Sequence, residues 1–218
     1  MHIPTLLTFL TTTALAVAGP AALPADDRTN NNAGPLLPRQ GTTTPQRFRL
    51  NVRFSNTPTL SGALHASGGS FWLHKPTTSF CPGESVLQAP CPPGNETSLT
   101  GGGPDGRLSL NVAVPGGQQV FIGPRGLLRY TRAHSGDMPR GSITSGLTVQ
   151  EGTRFLNPFY QLWLCNTDED DEVWQVWVEQ RDAQGSQKNW GSTGRNACTR
   201  INLEAEEVKD EVGAWQYD

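Results

Sequence analysis

Charge is the first thing this chain is short of. Of its 218 residues only 17% are charged, the formal net charge is −3, and 3 Lys stand beside 14 Arg. A balance so close to neutrality gives no electrostatic footing for nucleic acid or an anionic membrane, so neither is expected as a partner. Nothing in the sequence explains the bias toward Arg. Beyond the N-terminus there is no long apolar run either, and a bilayer span needs about 20 apolar residues. The chain has no G-x-S-x-G elbow, no Gly-rich phosphate loop and no Cys-x-x-Cys pair. The common signatures of hydrolases, nucleotide sites and zinc sites are therefore missing, and no metal or cofactor is expected.

Glycine and proline, at 24 and 17 residues, are plentiful. They break helices, and the Val, Thr, Leu and Trp runs between them are strand formers, so the composition points to an all-β fold rich in turns. Three segments divide the chain. Residues 1–18 are apolar and Thr-rich and end in Ala16-Val17-Ala18, the small-x-small pattern of a secretory signal peptide. Residues 19–45 carry too little apolar surface to offset the entropy of ordering and are expected to be disordered. Residues 46–218 are read as one all-β domain.

Within that domain, Phe48, Leu50, Val52 and Phe54 alternate with Arg and Asn as a half-buried strand does. Further strands are expected at Gly69–His74, Leu108–Val114, Gln119–Ile122, Leu127–Thr131, Thr144–Val149, Phe159–Cys165 and Glu172–Gln180. A turn is expected at Gly123-Pro124-Arg125-Gly126. The tail Ile201–Val212 mixes Glu with Leu, Ala and Val and suits a helical turn or two before a last strand at Ala214–Tyr217. Aromatic hairpin units near Phe71, Phe121 and Trp174 favour an antiparallel, trefoil-like barrel, with a two-sheet sandwich as the alternative. Leu50-Asn51-Val52 and Leu110-Asn111-Val112 sit in two copies of one strand pattern, a hint of duplication.

The four cysteines, Cys81, Cys91, Cys165 and Cys198, imply two disulfides in a secreted chain, with three connectivities open. Cys81–Cys91 with Cys165–Cys198 is the favoured pairing. The first closes a Pro-rich loop, and the second closes a longer one. Asn95-Glu96-Thr97 is an N-glycosylation sequon in a polar loop, so Asn95 is the expected glycosylation site.

Three constellations bear on chemistry. His134, Ser135 and Asp137 have the residue types of a catalytic triad, but neighbours on an extended chain point to opposite faces. A buried imidazole bonding backbone is the simpler reading of His134, and no catalytic residue is expected. The run Asp168–Glu172 lacks the order of a calcium loop and suits a solvated hairpin tip. Six Trp remain. On a strand Trp174 and Trp177 face opposite ways, so Trp177, beside Gln175 and Glu179, is expected to stand outward as a platform for a sugar ring. Trp190, in a Gly/Ser/Asn loop, is the second carbohydrate-binding candidate. Trp72 and Trp215 are expected in the core.

A further set of features lies between Val112 and Gly146 and at the last residues. Gly116-Gly117-Gln118 leads into a strand, Gly126-Leu127 makes a turn, and Tyr130-Thr131 and Ala133-His134-Ser135 follow. The chain then ends with Ala214-Trp215-Gln216-Tyr217 before Asp218. This set resembles the secreted fungal cell-wall family typified by a phialide-development protein, whose members are also described as IgE-binding proteins. The resemblance implies a secreted or wall-localised, non-enzymatic protein linked to asexual development, and that family has no assigned active site. Together with the exposed aromatics expected above, it suggests a monomer that associates with wall polysaccharide. A secreted carbohydrate-active hydrolase and a secreted effector bound to a host protein are the alternatives. The ending Trp-Gln-Tyr-Asp offers no apolar tail for a lipid anchor.

Overall fold

The computed structural model describes residues 47–53, 60–150, 153, 156–158, 161–166, 172–179, 198–209 and 212–218. The signal-peptide and disorder readings for residues 1–18 and 19–45, most of the acidic run, and Trp190 lie outside the described residues.

Among the described residues, fifteen strands and one short helix follow in order. They begin with β1 (Arg47–Arg53), β2 (Gly62–Ala63), β3 (His65–Ser67), β4 (Ser70–Leu73), β5 (Ser79–Phe80) and α1 (Glu84–Leu87). Next come β6 (Leu99–Gly101), β7 (Leu108–Leu110), β8 (Gln118–Ile122), β9 (Leu128–Tyr130), β10 (Leu147–Val149) and β11 (Leu156–Pro158). The series closes with β12 (Leu162–Asn166), β13 (Trp174–Val178), β14 (Cys198–Glu207) and β15 (Gln216–Tyr217). The fold is all-β, and every ladder between these strands is antiparallel.

One large sheet runs β13-β12-β14-β1-β6-β7-β8-β9-β4-β3, and β4 also pairs with β13, so the path of ladders closes on itself as a barrel-like wall. β4 holds β3 along one edge. Its other edge is shared, with Ser70 opposite Arg129 of β9 and with Trp72 and Leu73 opposite Gln175 and Trp174 of β13. The hairpins expected around Phe71, Phe121 and Trp174 are β3–β4, β8–β9 and β12–β13. One strand of each meets the other two, because Leu127, just ahead of β9, bridges to Trp177, and Val178 N–H donates to Gly126 O (2.7 Å). The trefoil-like reading rested on the three hairpin units, and their mutual contact is added by the structure.

The core follows the two-residue period of the strands. Phe48, Leu50 and Val52 of β1 are fully buried, and on the adjacent strand β14 Ala205 and Leu203 pair with Leu50 and Val52 while Ile201 is buried with them. β14 corrects the helical expectation for Ile201–Val212. Its Glu and Ala residues favour helix weakly, but Ile201, Leu203 and Ala205 fall at period two. Pairing with β1 on one side and β12 on the other then outweighs local propensity. Asn51, nearly buried on β1, is met by the Glu206 carboxylate (2.7 Å). β6 escaped the sequence reading because its last residue, Gly101, opens a triple glycine that reads as turn.

Both disulfides have the favoured pairing. Cys81–Cys91 closes the Pro-rich loop around α1, and Cys165–Cys198 joins directly paired residues of β12 and β14, with Cα atoms 4.1 Å apart. The second closes a span of 33 residues, worth roughly 3–4 kcal/mol in the chain-entropy account.

Candidate functional site

Gln118 opens β8 after the turn in which Gly117 N–H donates to Val114 O (3.0 Å). It is 1% exposed, so its amide has to find partners inside the protein. Its Nε2 donates to Thr131 O (2.9 Å) and to Tyr217 O (2.8 Å), and its Oε1 accepts from Tyr217 N–H (2.8 Å). One buried side chain thus ties the segment after β9 to the C-terminal strap.

That strap is threaded rather than merely packed. Ala113 and Val114 donate to the carbonyls of Ala214 and Trp215 (3.1 and 2.9 Å), and β15 pairs with β5. Asp218 O then accepts from Gly68 N–H (2.6 Å) and from the Tyr130 hydroxyl (2.8 Å). The Tyr217 hydroxyl donates to Glu96 O (2.6 Å). Segments remote in sequence therefore converge: the β3–β4 turn, the stretch Arg129–His134, and Gln216–Asp218.

Where they converge they line a cavity of about 530 Å³. Its floor carries the buried Tyr130 and Tyr217. Its rim carries Arg132, His134 and Asp218, all exposed, with Gln216 Nε2 donating to Asp218 Oδ1 (3.0 Å). His134 has φ 58°, a left-handed conformation that costs a residue with a Cβ about 1–2 kcal/mol. Such strain collects at ligand sites when the surroundings enforce it. Here Ser135 N–H donates to Arg132 O (3.2 Å) and fixes the turn.

Several expectations are corrected. His134 is exposed rather than buried, because it occupies a turn tip and not a strand end. Asp137 N–H donates to Ser135 Oγ (3.1 Å), so His134, Ser135 and Asp137 build a turn and not a proton relay. Trp177 is 4% exposed and cannot offer an open ring face: Trp163 of β12 stands opposite it in register, and the Gly126–Leu127 segment leading into β9 pairs along the edge of β13 away from β12. Trp72 and Trp215, expected in the core, are partly exposed, and Lys75 Nζ lies 4.1 Å from the Trp72 ring centre. Asn95 is exposed. Among the described residues no group of three or more His, Cys, Asp or Glu is placed to hold a metal ion, and no helix is long and apolar enough to cross a membrane.

Sequence reasoning did not single out Gln118, Arg132 or Gln216 as site residues. The signal was nonetheless present, since each lies in or beside the short stretches from which the family resemblance was read.

The two tyrosines make the site sensitive to alkali. Burial pushes the Tyr217 phenol up from 10.0 to about 12, partly opposed by its hydrogen bonds to Ser98, and burial also raises Tyr130 well above its usual range. A raised folded-state value means the fold prefers the neutral phenol. This stabilisation is fully present below about pH 10 and is lost as pH rises from 10 toward 12, costing about 3 kcal/mol for Tyr217. Urea midpoints measured from pH 8 to 12 should fall steeply above pH 10. In Tyr217→Phe the fall should be shallower and start from a lower neutral-pH stability, and an unchanged slope would contradict the assignment.

Residues 48–218 match the family described as PhiA-like secreted protein. An uncharacterized secreted protein of Arthroderma benhamiae is 28% identical over 193 residues, covering 85% of this chain and 91% of its own length. No solved structure matches the chain.

Proposed function

We propose a function from one premise, that the chain belongs to the PhiA-like secreted protein family. It is a secreted fungal protein, and on our reading it acts without catalysis by binding wall polysaccharide in the cavity beneath His134. One observation supports this above the others. Two of the stretches that carry the family resemblance, Tyr130–His134 and Gln216–Tyr217, far apart in sequence, line that cavity and are tied together by Gln118. Its volume falls within the range of about 300–1,000 Å³ usual for small-ligand sites. Its rim presents guanidinium, imidazole, amide and carboxylate groups, which suit the dense hydroxyls of a sugar chain end. The Trp177 platform gives way to this polar rim. A wall contact of this kind accords with a role in asexual development, the biology implied by the family resemblance.

The test is a pull-down of the oxidised protein on insoluble chitin, β-1,3-glucan and cellulose, with Arg132→Ala/His134→Ala beside the wild type. Wild-type retention on at least one polymer should fall about tenfold in the double variant, equivalent to about 1.4 kcal/mol, with the melting temperature unchanged. Equal retention of both proteins would move the contact elsewhere. Release of soluble sugar from any polymer would overturn the non-catalytic part of the reading.

A further inference from the structure

A second cavity, about 320 Å³, lies on another part of the wall and does not depend on the function proposed above. Its lining includes the sequon residue Asn95, with Arg49, Glu96, Lys209, Pro93 and Val212 around it. Arg49 Nη1 and Glu96 Oε1 are paired at 3.0 Å across its edge. The groove therefore mixes apolar surface with hydrogen-bonding groups, as a pyranose ring does. The loop carrying Asn95 is fastened on both sides. Gly94 N–H donates to Gly213 O (2.9 Å), and Glu96 O accepts from the Tyr217 hydroxyl (2.6 Å). Anything attached to the Asn95 amide leaves from a fixed point beside a groove, not from a swinging tip.

Thr97 adds an observation of a different kind. An N-glycosylation acceptor needs its third-position hydroxyl within reach of the transferase, and Thr97 is 2% exposed. Its Oγ1 accepts from Ala66 N–H (2.7 Å) and lies 3.2 Å from Thr77 Oγ1, which is itself 2.8 Å from His65 Nδ1. In the folded domain that hydroxyl is sealed beneath β3. The acceptor amide is open, but the group that makes it an acceptor is not.

We propose that Asn95 carries an N-linked glycan attached before β3 closes over Thr97, and that its first sugars rest in the groove between Arg49, Glu96 and Val212. The donor is a lipid-pyrophosphate-linked oligosaccharide of the secretory pathway. Asn95 Nδ2 forms a bond to the anomeric carbon of the donor as the carbon–oxygen bond to pyrophosphate breaks. The amide gives up one proton, and the lipid pyrophosphate departs. The glycan then covers a groove that would otherwise be filled by water, next to the hydrogen bonds that hold the C-terminal strap.

Three measurements on the full chain test the proposal. Peptide mass spectrometry of protein secreted from a eukaryotic host should find Asn95 modified, with the adduct absent from Asn95→Gln. Should that variant fail to be secreted, the wild-type mass stands by itself, and an unmodified Asn95 overturns the proposal. Microsomal extract should glycosylate the reduced, unfolded chain but not the oxidised, folded one, and equal acceptance would overturn the order of events. Amidase release of the glycan should be about tenfold slower from native than from denatured protein, since access requires a local opening. Val212→Ala/Lys209→Ala should narrow that gap. Equal rates from native and denatured wild type would overturn the seating in the groove.

Discussion

Replacing Gln118 with leucine should lower the stability of the domain by about 3–5 kcal/mol, although the two side chains are close in volume. The change removes an amide that is 1% exposed and with it three hydrogen bonds. Three backbone groups are left inside without water: Thr131 O, Tyr217 O and Tyr217 N–H. Each unsatisfied buried polar group costs about 1–3 kcal/mol, partly recovered if the strap shifts to admit water. For a domain of this size the melting temperature should fall by roughly 8–15 °C, taking about 2–4 °C per kcal/mol. Amide exchange at Tyr217 should speed up more than exchange in β1, because the strap loses its tie while the β1–β14 ladder does not. A drop of only a degree or two would mean that Gln118 is not the clamp, and the locking of the cavity would need another cause.

The clamp also shows where sequence reading stops. β1 was legible because both chemical classes alternate along it, and the inward Phe48, Leu50 and Val52 needed no knowledge of their partners. The hairpins β8–β9 and β12–β13 were legible from apolar runs on either side of turn residues. Trp177 was misjudged for a reason outside its own strand. Gln175 and Glu179 beside it look like a solvent face, yet both are buried with it in a sheet where β12, β4 and the Leu127 segment flank β13 and Trp163 Nε1 donates to Glu179 Oε2 (3.4 Å). Burial of polar neighbours can be read only from what packs on them. β14 was missed by the same logic, since its partners β1 and β12 lie far away in sequence. The cavity could not be derived from any single stretch. His134 was read as a buried imidazole bonding backbone, while Gln216 and Asp218, which line the same cavity, stood at the other end of the sequence. The resemblance placed these stretches in one set, and the threading of the strap explains why they belong together.

Gly126→Ala should lower the stability of the barrel wall by about 4 kcal/mol, and a matched variant separates its two causes. Gly126 has φ 91°, a conformation that costs an alanine about 1–2 kcal/mol. Gly116 has a nearly equal φ of 85°, but a methyl there would meet nothing within 4 Å. Gly116→Ala therefore measures the backbone cost alone, and should lower stability by about 1–2 kcal/mol. At Gly126 the methyl would fall inside contact distance of the Val178 carbonyl oxygen, which is backbone and cannot rotate away. To relieve the clash the segment must lift from β13, breaking the Val178 N–H to Gly126 O bond and the Leu127–Trp177 bridge. These contacts hold two of the three hairpins together, so the excess over Gly116→Ala reports what their junction contributes. It should also uncover the Trp177 ring, and Gly126→Ala should show a red-shifted, quencher-accessible tryptophan emission that Gly116→Ala does not. Equal destabilisation by the two variants would mean that the hairpins are held by the sheet beneath them, with their mutual contact adding little.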